Sequence, residues 1–285
     1  MKVRYLIVLF VFLCSFTFPV KVLRITSFFG ESRKDHFHNG IDLASYNENV
    51  YAVMPGEILF YYDNIDYPEE NPLGYGNFVI LQHGDRYRSF YYHLQDGSIP
   101  KNLVYVAENQ IIGKTGSTGH SSGGHLHFTM VDVINNKIVN PLLFLTDFKD
   151  SLSPVINSVW FSTNNKTKER LTFLEKITGK NIKLFIETWD RVQTTKLKLG
   201  IYKIEVFVDN RIVKSFIFDS LDVVKSKGVF LNFKLSFEDI YSDSYIYNLG
   251  DFFITPDSKE LRIEVKDLHG NCTMYKIVTS HSINK

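Results

Sequence analysis

Seven of the nine histidines in this 285-residue chain fall between His36 and His127. Three groups among them have residue types and spacing suited to chemistry: His38-Asn39-Gly40-Ile41-Asp42, Tyr91-Tyr92-His93 and His125-Leu126-His127. In a strand, residues two apart point the same way, so His125 and His127 share one face while Leu126 and Phe128 turn to the core. Two adjacent imidazoles after a glycine-rich turn suit metal binding or proton handling. His38 and Asp42 are four apart, but Gly40 and β-branched Ile41 argue against a helix. A loop entering a strand would carry both inward. Two histidines and one carboxylate with a fourth position open form a catalytic zinc pattern, whereas structural sites are closed by four protein ligands. With no cysteine nearby, a nitrogen/oxygen site is favoured over a thiolate one.

Competing motifs fail on inspection. Gly113-Lys114-Thr115 resembles the end of a phosphate-binding loop, but the glycine required five residues earlier is Glu108. No His-Glu-x-x-His sequence occurs. Lys+Arg 32 against Asp+Glu 31 leaves a net charge of +1, which removes the electrostatic reason to expect nucleic-acid binding. Two cysteines, Cys14 and Cys272, exclude a disulfide framework, and Cys272 reads as a small buried hydrophobe in a strand.

The elements that would position the histidines are strands. Residues 24–145 hold β-rich runs at 50–60, 77–82, 87–93 and 125–133, broken by twelve of the 17 glycines, and form a compact all-β unit. A polar linker at 146–154 ends in Pro154. Beyond it, strand-like runs at 155–161, 181–188, 202–208, 212–218, 229–237, 261–266 and 273–278 predict an immunoglobulin-like β-sandwich. Asp209-Asn210 and residues 268–271 read as hairpin turns. Lys2 and Arg4 precede an apolar run to Val20, short for a spanning helix, which reads as a signal peptide or N-terminal anchor. The expected division is 1–20 for that segment, 21–147 for the histidine-rich domain and 155–283 for the sandwich.

From 24 to 145 the sequence resembles the M23 metallopeptidases, the lysostaphin-type peptidoglycan endopeptidases. The resemblance is carried by Ile25-Thr26-Ser27-Phe28-Phe29-Gly30, His38-x-Gly40-Ile41-Asp42, Gly74-Tyr75-Gly76-Asn77, Tyr92-His93-Leu94, Ile112-Gly113-x-x-Gly116-Ser117-Thr118-Gly119, Gly124-His125-Leu126-His127-Phe128 and Asn140-Pro141. It implies an M23-type β-sheet catalytic domain holding one Zn2+ through His38, Asp42 and His127, with His93 and His125 as catalytic histidines. It further implies an exported endopeptidase of the periplasm or cell envelope that hydrolyses peptidoglycan cross-links or stem peptides. The alternative is a non-catalytic module that recruits or activates another wall hydrolase. The C-terminal domain is expected to meet an envelope protein partner, and the membrane is met only through an uncleaved N-terminal segment. Thr129 stands where the family often has Glu, and His120 occupies a loop position that is often basic.

Overall fold

A computed structural model of the chain describes residues 17–68, 74–145, 148–224, 228–232 and 234–279. Most of the expected signal or anchor segment, and residues 69–73, lie outside the described residues. Thr17 to Val20 do not stand apart from the first domain: the Tyr51 N–H donates to the Pro19 carbonyl at 2.9 Å, and Val20 is buried.

The first region contributes β1 (Ile25–Ser27), β2 (Ile41–Ala44), β3 (Asn49–Tyr51), β4 (Gly56–Tyr62), β5 (Asn77–His83), β6 (Tyr87–Leu94), β7 (Tyr105–Val106), β8 (Ile111–Lys114), β9 (His125–Asp132) and β10 (Lys137–Val139). The expected run at 50–60 is thus two strands, interrupted before Pro55, which lacks the N–H a ladder needs. Strand β9 organises the rest. One edge pairs with β6; the other pairs with β2 along its first half and β10 along its second. Its alternation is the one expected, with Leu126, Phe128 and Met130 fully buried among Ile41, Leu43, Val79, Leu81 and Tyr91. Fixed register follows, because a one-residue slip would turn Leu126 and Phe128 to water.

Residues beyond 154 form β11 (Val155–Ser162), β12 (Glu169–Arg170), β13 (Lys180–Trp189), β14 (Lys203–Val208), β15 (Arg211–Ile217), β16 (Ser220–Val224), β17 (Gly228–Phe230), α1 (Phe237–Ile240), β18 (Tyr241–Asp243), β19 (Ile246–Ile254), β20 (Glu260–Lys266) and β21 (Cys272–Val278). They build a five-stranded sheet, β12-β11-β13-β19-β18, and a four-stranded sheet, β15-β14-β20-β21. Asp209 and Asn210 both have positive φ and make the β14–β15 hairpin. The expected strand at 229–237 breaks after Phe230, and Ser236 caps α1 in a reciprocal pair with Asp239. Cys272 is exposed rather than buried, because it lies on the outer face of edge strand β21 with Met274 and Lys276.

One hairpin leaves these sheets. Strands β16 and β17 extend the first domain's sheet through β10, pairing Val139 with Ser220 and Ile138 with Leu221. The buried apolar residues of both regions form one continuous cluster.

Candidate metal centre

The strand register brings the chemistry together. Asp42 on β2 lies directly opposite His127 on β9, and His127 lies opposite Tyr92 on β6. Directly paired residues of antiparallel strands project to the same face. His125, two residues before His127, joins that face. His93 follows Tyr92 and by alternation would point into the core. Its φ of +61° breaks the alternation and brings its ring to 4.7 Å from that of His125. A left-handed backbone at a non-glycine residue costs on the order of 1–3 kcal/mol and collects at functional sites. The five expected residues thus share one groove of about 560 Å³, which Tyr75, Tyr92, His36 and His120 also line.

Hydrogen-bond partners select the neutral tautomer of each of the four inner histidines. His38 Nδ1 donates to the Phe28 carbonyl at 2.7 Å, His93 Nδ1 to the Thr118 carbonyl at 2.8 Å, and His125 Nδ1 to the Gly123 carbonyl at 2.9 Å. Carbonyls only accept, so Nδ1 is the donor in each, and in the neutral ring Nε2 is the lone-pair atom. His127 is reversed: its Nε2 donates to Asn39 Oδ1 and Thr129 Oγ1, both at 3.0 Å, leaving Nδ1 as the lone-pair atom.

The donor triangle that results is a test of metal fit. His38 Nε2, His127 Nδ1 and Asp42 Oδ1 lie 3.0, 2.9 and 3.2 Å apart. Three lone-pair donors facing one point repel unless a cation sits between them. Tetrahedral zinc, with bonds of about 2.0–2.1 Å, separates its ligands by about 3.3 Å. The residues fit the ion. Asp42 remains ionised: burial opposes its charge, but the facing imidazoles more than offset this and hold it well below the ordinary carboxylate range. Burial pushes His127 down to about 4, keeping it neutral. Burial likewise lowers His93, against the opposing pull of the Thr118 carbonyl.

Sequence reasoning passed over the layer behind these ligands. Arg33 donates from one guanidinium nitrogen to Asp42 Oδ2 and to Ser27 Oγ, so it holds the carboxylate by the oxygen that faces away from the triangle. Ser27 in turn donates to the buried carboxylate of Glu31. Thr129 could have been found by the two-residue period of β9, since it shares the face of His125 and His127. Asn39 and Arg33 carry no comparable signal, because the β1–β2 loop positions them.

Two histidines and an aspartate, brought in by β2, β9 and the loop before β2, thus meet in an open groove beside two further histidines and could hold a metal ion. Residues 36–141 match the family model for peptidase family M23. A second family model, without a functional description, matches residues 153–277. The chain is 34% identical over 130 residues to the DD-carboxypeptidase/endopeptidase Mpg of Neisseria meningitidis serogroup B, covering 44% of this chain and 27% of that protein. It is 33% identical over 95 residues to the peptidoglycan DD-endopeptidase ShyA of Vibrio cholerae serotype O1, covering 33% and 20%. It is 36% identical over 110 residues to the murein hydrolase activator NlpD of Salmonella dublin, covering 38% and 26%. The matches thus span about a fifth to a quarter of each relative.

Proposed function

We propose that the protein is a zinc-dependent endopeptidase acting on the peptides of bacterial peptidoglycan in the cell envelope. The observation that carries the reading is the triangle of three mutually facing donor atoms, with the rings of two further histidines beside it and His125 Nε2 3.9 Å from Asp42 Oδ1. His38, Asp42 and His127 would hold the ion. When bound, zinc supplies Lewis acidity, bringing the pKa of water down to about 7 and polarising a carbonyl. One of the His93 and His125 rings would take the single water proton at Nε2, hydrogen-bond the developing oxyanion through the N–H so formed, and then pass that proton to the leaving amine, while the other ring stays neutral beside it. The Thr118 and Gly123 carbonyls hold both rings in that tautomer. Tyr75, half exposed, stacks on Tyr92 with centroids 4.9 Å apart and forms one wall for an extended peptide.

Two variants test the division of labour. His93→Ala is expected to retain zinc and lose hydrolysis, whereas His127→Ala loses both, read as bound zinc beside turnover on purified peptidoglycan. A metal-free His93→Ala protein would refute the split. The likeness to an activator supports a second reading, in which the domain recruits another hydrolase. A zinc-loaded wild type that releases no muropeptides alone, yet stimulates a partner hydrolase, would favour it.

A further inference from the structure

Three aspartates converge where the linker meets the C-terminal sheets. Asp150 lies in the linker, Asp190 follows β13 and Asp267 follows β20, and one carboxylate oxygen from each falls within 4.8 Å of the others. Asp190 is 2% exposed and Asp267 3%. Burying like charges together is costly unless something offsets them. Asp267 is well supplied, accepting from the Asn271 N–H at 2.8 Å and Asn271 Nδ2 at 2.6 Å. The others are not. Asp190 Oδ1 accepts from the Arg191 N–H, but its Oδ2 accepts nothing. Asp150 Oδ1 accepts from the Leu152 N–H, while its Oδ2 is buried without a partner. Among the described residues no lysine or arginine side chain pairs with any of the three. The nearby His269 spends its Nε2 on the Phe148 carbonyl.

The three aspartates line a partly open cavity with about 20 Å³ of internal space, enough for one water-sized occupant. Asp150, with one buried oxygen that has no partner, and Asp190, with one oxygen that accepts no hydrogen bond, thus both line a space of ionic size. We propose that Asp150, Asp190 and Asp267 clamp one calcium ion there, pinning the linker to the C-terminal sheets. Only oxygen donors are on offer, which suits a hard cation and not zinc. Ligands on opposite sides of calcium, at about 2.4 Å each, stand about 4.8 Å apart, so donors within that span can share one ion. Water completes the coordination. The competing occupant is a proton: burial above all, with the charges of Asp267 and Asp150, pushes Asp190 up to about 8.

Zinc-loaded full-length protein, freed of calcium by dialysis, separates the two. Saturating calcium is expected to raise Tm by about 5 °C or more. Terbium bound in the same place should luminesce on tyrosine excitation, since Tyr202 lines the cavity, and calcium should quench that signal by displacement. Asp190→Asn is expected to lose both responses and His127→Ala to keep both. A wild type whose Tm is unmoved by millimolar calcium overturns the proposal without recourse to any variant. Responses that survive in Asp190→Asn but vanish in His127→Ala overturn it too, because calcium would then be binding in the groove. An Asp190→Asn protein as stable as calcium-saturated wild type, with no calcium response in either, identifies the occupant as a proton.

Discussion

At the scale of single residues, the site rests on where four protons sit. If Asn39 and Thr129 fix the His127 tautomer, removing both acceptors frees Nε2 to lose its proton and lets Nδ1 carry it, which spoils a ligand. Outer partners of metal-bound histidines are worth about 10–100-fold in affinity. The Asn39→Leu/Thr129→Val protein is therefore expected to bind zinc about 10–100-fold more weakly in competition with a chromophoric chelator, with its fold intact. His93 makes a pH prediction. Burial lowers its pKa below the ordinary value of 6.5, so it stays neutral and able to accept a proton down to mildly acidic pH. The acidic limb of kcat/KM should then fall with an apparent pKa below 6.5. An acidic limb centred above 7 would show that a different group takes the proton.

At the scale of elements, legibility followed the periodicity of the chain. Strand β9 could be read directly because Leu126, Phe128 and Met130 alternate with polar neighbours, and that alternation fixes which histidines share a face. His93 was named from the motif that contains it, but its route into the groove depends on a positive φ that no residue type at that position announces. Strand β19 was missed because Gly250, at φ +98°, and a register shift interrupt its pattern. Strand β16 was missed for a different reason: it is short, and its partner β10 belongs to the other region. The loop between β1 and β2 shows how tightly that joint is built. A Cβ on Gly30, at φ +80°, would meet the Phe218 ring at 2.5 Å, and the Gly30 carbonyl accepts from Tyr241 OH at 2.7 Å. Gly30→Ala combines backbone strain with overpacking, so a loss of about 2–4 kcal/mol is expected in denaturant unfolding. Because the same loop carries Phe28 and Glu31 beneath His38, zinc affinity should fall with it. Unchanged affinity in a destabilised Gly30→Ala protein would show that the joint and the metal centre are independent.

At the scale of the whole molecule, the C-terminal region is built into the histidine-bearing one. Gly200, from beyond the linker, donates its N–H to Glu31 Oε1 at 2.8 Å, and Glu31 holds Ser27, whose hydroxyl also receives Arg33 on its way to Asp42. Phe37 packs edge-on against Phe237 at 5.5 Å. A continuous path of hydrogen bonds thus runs from the second region to Asp42, so the C-terminal region supports the groove. The aspartate cluster lies on the same joint, with Phe28 and Phe29 in its cavity wall, and its charge state should be visible in stability against pH. Folded Asp190 titrates at about 8 without a cation, against 3.8 for an ordinary aspartate. The folded chain therefore holds an extra proton between those values. The stability this contributes is full below about pH 4, falls as pH rises, and is gone above about pH 8. Asp150, Asp267, Arg191 and His269 face Asp190 and titrate or carry charge in both proteins, so the informative quantity is the difference between wild type and Asp190→Asn. In calcium-free buffer, wild type should lose stability relative to Asp190→Asn steadily from pH 4 to 8. Calcium binds the ionised carboxylate and should flatten or reverse that slope. A difference that stays level across the range without calcium would mean that Asp190 is already ionised in the folded chain, and the orphaned oxygens would then have a partner other than a proton or an added ion.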